Sequence, residues 1–293
     1  MKIKIVATTD IGKVRENNED AFIICPDLSR QEWQHDKTSS YIPLSQLGSL
    51  LVVADGMGGT NAGEGASGIA VDTVRAVFSH EAVSSCVSTG GIHQLLQKCV
   101  READDAINRK AWDDPSTVGM GTTIVVGWII GGIVHIAWCG DSRAYIFNPQ
   151  TGLKPLTKDH SYVQELVDSG EITKQQAFNH PDSNLITRGL GDINSQSSPD
   201  IVSHPVKDDD VLLLCSDGLS GYCTDTDIEQ VLQACYTDID RCKDQLLQIA
   251  LQSGGHDNIC IAMASIIGDR QEAPTEYKPQ RSWREGLRKL LNL

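Results

Sequence analysis

The sequence predicts one domain that mixes β-strands and α-helices, and three observations carry that expectation. Apolar, largely β-favouring runs stop abruptly at an Asp beside a glycine in residues 50–59 (LLVVADGMGG), 133–141 (IVHIAWCGD) and 211–218 (VLLLCSDG), as buried strands delivering carboxylates to their tips. Two stretches, 64–79 and 92–111, repeat apolar residues at helical spacing instead. The chain of 293 residues and 31.8 kDa fits one large domain or two small ones, and the acid-ended runs, spread across most of it, favour one.

Taken in order, residues 3–8 read as a strand, 10–20 (DIGKVRENNED) as a polar turn and 21–25 as the returning strand of a hairpin. Residues 29–48 are polar and aperiodic, a loop before the LLVVAD strand. The glycines after Asp55 call for a tight turn or a close backbone approach. In the first helix Ala66, Ile69, Ala70, Thr73, Val74, Val77 and Phe78 share a face; in the second Leu95, Leu96, Cys99, Val100, Ala103 and Ile107 do. Residues 121–138 read as a β-hairpin turning on Gly131-Gly132, and 143–147 as a further strand. Residues 159–191 hold short helical fragments (162–168, 174–178) in an irregular, glycine-punctuated segment of the kind that carries function. Residues 211–216 return to strand, 225–235 and 243–252 to helix, and 258–267 form the last strand. Beyond residue 268 the composition turns to Pro and charge, and 282–293 place Trp283, Leu287, Leu290 and Leu291 on one helical face beside Arg284, Arg288 and Lys289. That short basic amphipathic helix either folds back on the domain or docks on a partner or membrane surface.

A hydrophobic share of 40% and a charged share of 22% are those of a soluble globular protein. The net charge of -14 argues against nucleic-acid partners and against simple attachment to anionic membranes. The nine cysteines show no CxxC and no Cys/His ligand spacing, and several lie inside apolar runs, which suits a reducing cytoplasm. The first residues hold too short an apolar stretch for a signal peptide, and no run is long enough for a transmembrane segment.

The acids gathered at strand ends and turns are Glu19, Asp20, Asp55, Asp141, Asp217 and Asp257. Unpaired buried carboxylates cost several kcal/mol each, so a cation is expected among them. Oxygen-only ligands select Mg²⁺ or Mn²⁺ over Zn²⁺. Two such ions about 3.5 to 4 Å apart clamp a water and bring its pKa to roughly 7, giving a hydroxide nucleophile without Ser, Cys or His. Arg15 either holds two phosphoryl oxygens bidentately or makes a salt bridge to Glu19 or Asp20. The glycines at 56, 58, 59, 63 and 65 lack a following GK[ST], which disfavours a nucleotide loop.

DIGKVRENNEDA, ADGMGG, the Gly121-Thr122-Thr123 triplet, CGDSRAY, LTKDHS, CSDGL and HDN, in that order, resemble the motifs of the metal-dependent (PPM, type 2C) serine/threonine protein phosphatases. DGMGG and the segment EITKQQAFNHPDSNLITRGLG resemble the bacterial branch. The resemblance implies an α+β fold, a four-layer α-β-β-α sandwich of two antiparallel sheets flanked by helices, over residues 1–268, with a flap at about 170–191 and the tail 269–293 outside it. It implies a hydrolase of phosphoserine and phosphothreonine in phosphorylated proteins, opposing a bacterial Ser/Thr kinase. By motif match Asp20, Asp55, Asp217 and Asp257 ligate two central ions, with the Gly56 carbonyl on the second, and Asp141 and Asp217 hold a third. Glu19 acts through water ordered around the ions, Arg15 holds the phosphoryl group, and Asn258 supports Asp257. Met57 stands where animal members carry a His that serves as general acid. This leaves the proton donor unassigned; His160 is available, although the DHS motif is better explained as structural. The rival readings are a phosphohydrolase of small esters or nucleotides and a non-catalytic phosphoprotein binder, the latter disfavoured by the full set of acids.

Overall fold

Strands that are apolar at every position need cover on both faces, and a layered architecture supplies it. The structure, a computed structural model, describes residues 1–34, 40–58, 62–86, 88–191 and 197–268. In chain order its elements are β1 (Lys2–Asp10), β2 (Asp20–Cys25), β3 (Ile42–Pro43), β4 (Ser49–Met57), α1 (Ala62–Val77), α2 (His80–Ser84), α3 (Thr89–Asp113), β5 (Gly121–Thr122), β6 (Ile124–Ile130), β7 (Ile133–Cys139), β8 (Arg143–Asn148) and β9 (Gly152–Pro155). There follow α4 (Tyr162–Asp168), α5 (Lys174–Phe178), β10 (Asp200–Pro205), β11 (Val211–Cys215), α6 (Asp217–Ser220), α7 (Asp225–Cys235), α8 (Ile239–Gln252) and β12 (Ile259–Ile267). The tail helix expected at 282–293 lies outside the described residues.

One antiparallel sheet runs β3-β1-β12-β11-β8-β9 and the other β10-β7-β6-β4-β2, with β5 continuing along β4. The alternation of side chains sorts the core into three layers. In β4, Leu50, Val52 and Ala54 pack under α1 and α3, while Leu51 and Val53 face the opposite sheet. In β12, Ile259, Ile261 and Met263 pack under α7 and α8, while Cys260, Ala262, Ala264 and Ile266 fill the space between the sheets. The expected α-β-β-α sandwich is therefore the architecture observed.

The two long amphipathic helices fall within three residues of their predicted bounds, and Leu95, Leu96, Cys99, Val100, Ala103 and Ile107 are all buried. The hairpin at Gly131-Gly132 is present, with φ of 58° and 78° at the two glycines. The opening hairpin is not. β1 pairs with β12 and β3, whereas β2 pairs with β4 in the other sheet, so residues 11–19 cross between sheets instead of turning within one. The β4 ladder also continues past Asp55, because Gly56 and Met57 pair with Thr122 and Gly121 of β5; Asp55 lies inside the strand, not at its tip. The scattered cysteines were expected to suit a reducing cytoplasm, but Cys235 at the end of α7 and Cys242 in the first turns of α8 are joined as a disulfide across a short connection, with Cα atoms 5.4 Å apart.

Candidate active site

Strand phase decides where the acids go. Asp20 continues the alternation of Phe22 and Ile24, and Asp55 that of Leu51 and Val53, so both project into the space between the sheets. They are direct partners in the β2–β4 ladder. Ser216 continues the phase of Leu212 and Leu214 from the opposite sheet, and its hydroxyl donates to Asp20 Oδ2 at 2.7 Å. Asp217 follows as the first residue of α6.

The carboxyls of Asp20, Asp55 and Asp217 are near enough to perturb one another. Burial pushes Asp20 up to about 8, and the charges of Asp217 and Asp257 add to the rise against the pull of Ser216. Burial and then Asp257 push Asp217 up to about 6. Asp55 and Asp141 are held well above the ordinary carboxylate range, again by burial first and then by neighbouring acids. Asp20 Oδ1 is buried and receives no hydrogen bond from any described residue. Among the described residues no three His, Cys, Asp or Glu side chains are gathered about one point closely enough to hold an ion as they stand. Yet the donor set is all oxygen, mutually repelling and one lone pair short of a partner, and it fits divalent cations once side chains turn toward them.

Backbone contacts fix this cluster. Gly56 N–H donates to the Glu19 carbonyl at 3.1 Å, and a Cβ at Gly56 would meet the Gly63 carbonyl oxygen and, at 2.6 Å, that of Glu19; the close approach expected of this glycine is realised. Thr122 Oγ1 and Thr123 N–H both donate to the Asp55 carbonyl at 2.8 Å. Asn258 accepts from Glu19 N–H at 2.8 Å and donates to the carbonyls of Ile11 and Asn17 at 3.0 and 2.9 Å, and its own N–H donates to Asp257 Oδ1 at 2.8 Å. One buried amide thus ties the inter-sheet crossing to the loop that carries Asp257.

Arg15 Nη2 donates to Asp257 Oδ2 at 2.6 Å, which raises the pKa of the guanidinium. Of the two readings left open by its spacing, the salt bridge exists but to Asp257, remote in sequence, and not to Glu19 or Asp20. Asp141 sits just beyond β7, where the chain crosses back between sheets, and its charge reaches Asp55 and Asp217.

His160 is a structural residue in this arrangement. Its Nδ1 accepts from Gly140 N–H at 3.1 Å, its Nε2 faces Asp200 Oδ2 at 3.3 Å and its ring stacks on Trp138. Burial lowers its pKa, so the ring is a neutral strut for the Gly140–Asp141 corner. Three supporting residues had no role assigned from sequence. Ser216 is one. Asp159 is the second, gripping Arg143 Nε at 2.8 Å and Nη2 at 2.7 Å, and Tyr145 is the third, its hydroxyl donating to Asp225 Oδ1 at 3.0 Å. All but Asp225 lie inside the quoted motifs, which was the available signal.

The segment 170–191, expected to form a flap, ends against this end of the sheet. Leu190 exchanges hydrogen bonds with Thr122, and Thr187 N–H donates to the His160 carbonyl. Between Ser161 and Gly189, both buried, only Val163 of the α4–α5 region is buried.

The protein phosphatase 2C family profile matches residues 6–259. The serine/threonine phosphatase Stp of Listeria monocytogenes is 33% identical over 255 residues, 87% of this chain and 92% of that protein. The crystal structure of the Mycobacterium tuberculosis serine/threonine phosphatase PstP superposes with a TM-score of 0.75 at 30% identity, covering 92% of this chain and 100% of that one. The PstP catalytic domain in complex with two manganese ions gives 0.72 at 29% identity, covering 92% and 100%.

Proposed function

The chain belongs to the protein phosphatase 2C family, the metal-dependent serine/threonine phosphatases of bacterial type, and from that membership we propose how its own residues perform phosphoester hydrolysis. The observation that carries the proposal is the pairing of Asp20 with Asp55 on one rung, with Ser216 beside Asp217 bonded to Asp20 from the facing sheet, next to the Arg15–Asp257 pair.

Asp20, Asp55, Asp217 and Asp257, with the Gly56 carbonyl, hold two divalent ions; Asp141 and Asp217 hold a third. When bound, these ions supply the positive charge the acids lack and lower the pKa of the attacking water. Arg15 receives two phosphoryl oxygens, since a guanidinium matches them bidentately, and its contact with Asp257 pre-sets its position. Asn258 keeps that loop in place, and Glu19 orients water at the rim. Displacement in line leaves the seryl or threonyl oxygen to take a proton from solvent, since Met57 cannot supply one and the His160 ring is held against Gly140 and Asp200.

Mg²⁺ and Mn²⁺ both suit the donor chemistry, and the two-manganese PstP structure supports the latter. The catalytic unit is residues 1–268, with 269–293 as an accessory docking segment and 170–191 as the substrate-facing flap. The substrates are phosphorylated proteins, the opposing enzyme is a Ser/Thr kinase, and the setting is cytoplasmic. Among the described residues no helix is long and apolar enough to cross a membrane, which is compatible with that setting.

The test is hydrolysis of a phosphothreonine peptide against Mn²⁺ and Mg²⁺ concentration, with chelator controls and the Asp217→Asn variant. Metal-dependent turnover that collapses in the variant is expected. Turnover that survives chelation would remove the metal reading, and no turnover by folded protein at any metal level would favour a binding role.

A further inference from the structure

Exposed apolar side chains scattered singly over a surface carry no meaning. Three of those in this protein are not scattered. Val14 is 60% exposed, Ile11 38% and Tyr222 36%, and all adjoin the Arg15–Asp257 pair. Val14 precedes Arg15 in the inter-sheet crossing. The carbonyl of Ile11 accepts from the Asn258 side chain, whose backbone N–H holds Asp257. The Tyr222 ring lies against that of His256, with centroids 5.5 Å apart and planes at 37°, and His256 directly precedes Asp257. Tyr222 also feels the charges of Asp217, Asp257 and Arg15.

This rim is held rigidly. Lys13 N–H donates to the Gly255 carbonyl at 2.7 Å, joining the two loops that carry it, and Asn258 joins them a second time. A preformed apolar surface loses little entropy when it is covered, and this one borders the guanidinium to which the phosphoryl group is assigned.

We propose that Val14 and Tyr222, with Ile11 and the face of His256, form an apolar shelf that receives the side chain next to the phosphorylated residue, so that the enzyme favours phosphopeptides with an apolar neighbour at that position. The proposal rests on the phosphatase reading above. It assigns Val14 and Tyr222 to substrate choice and leaves the hydrolytic step to the acids and Arg15.

The experiment compares kcat/KM in Mn²⁺ for phosphothreonine peptides identical except for Leu or Ser on either side of the phosphothreonine, and for a small aryl phosphate, in wild type, Val14→Ser, Tyr222→Ser and the double variant. Tyr222→Phe serves as the conservative control. Wild type should prefer Leu at one flanking position by about fivefold, the double variant should lose that preference, Tyr222→Phe should keep it, and aryl phosphate turnover should stay within about twofold throughout. Equal use of the Leu and Ser peptides by wild type, or a preference that survives in the double variant, overturns the shelf. Parallel loss on peptides and aryl phosphate overturns it too, because the rim would then act only by holding Arg15. Absence of turnover on every substrate would instead bring down the phosphatase reading, and the shelf with it.

Discussion

The acid cluster between the sheets and the flap segment 170–191 meet at Thr122, yet they are built by opposite means. Asp20 and Asp55 face each other on one rung of a ladder, Ser216 reaches Asp20 from the facing sheet, and Thr122 and Thr123 grip the Asp55 backbone. Around α4 and α5 the helices are of seven and five residues, Tyr162 and Leu185 are exposed, and the anchors gather at the segment's end: Leu190 on Thr122, Thr187 on the His160 carbonyl, Gly191 on Asp104 and Arg188 on Asp200. Groups that must be placed within fractions of an ångström sit on strands whose register cannot slip without turning the side chain to the other face. Groups that meet variable partners sit on short, little-buried elements that open locally at low cost.

That contrast can be broken most severely at the cluster. Asp217→Asn should lower kcat on any phosphate ester by about a thousandfold while the circular dichroism spectrum is unchanged. Loss of the fold would mean that the acid is structural. Asn258→Ala removes the amide that joins both loops of the rim; kcat/KM should fall by about ten- to a hundredfold and stability by about 2 to 4 kcal/mol in denaturant titration. Ser216→Ala leaves Asp20 Oδ2 and Cys260 N–H without their shared hydroxyl, and about 1 to 3 kcal/mol should be lost with the activity largely kept at saturating metal.

A pH titration sharpens the same comparison. Asp20 is raised to about 8 and Asp217 to about 6 in the metal-free fold, against about 4 in an unfolded chain. Across that window the folded protein keeps protons that the unfolded chain has released, so its stability falls as pH rises. In chelator the Tm should drop from pH 5 to pH 8, and excess Mn²⁺ should flatten or reverse the slope. A flat profile in chelator would mean that water reaches these carboxyls and that burial does not hold their protons. Exchanging residues 170–191 for a relative's segment should have the smallest effect, altering phosphopeptide choice while aryl phosphate turnover moves by less than about threefold.

Residues that recur with a period were legible in the sequence. The continuous apolar runs gave the long strands, the helical spacing gave α1 and α3, and Gly131-Gly132 gave its turn. Pairing was not legible, because a strand buried on both faces has no polar side to say which neighbour it takes, and adjacency in sequence then wrongly favoured a β1–β2 hairpin. The edge strands β9 (GLKP) and β10 (DIVSHP) were missed for want of apolar length, each ending in Pro at a sheet margin. Asp55, Asp141 and Asp217 were found because each ends an apolar run, and Glu19, Asp20 and Asp257 because they sit in turns beside strands. Ser216, Asp159 and Tyr145 carry no such signal of their role, and only the three-dimensional contacts reveal what they hold.

The placement of β12 bears on how the chain comes to fold. This strand lies between β1 and β11, pairing residues 2–10 with residues 259–267, so β1 waits for a segment about 250 residues further along the chain before its inner edge is closed. Arg15 follows β1, and Asp257 precedes β12. Contacts this remote in sequence are slow to form and leave strand edges open meanwhile, and a nascent chain lacking its final segment cannot bring the two residues together. The meeting of Arg15 with Asp257 therefore depends on the pairing of β1 with β12.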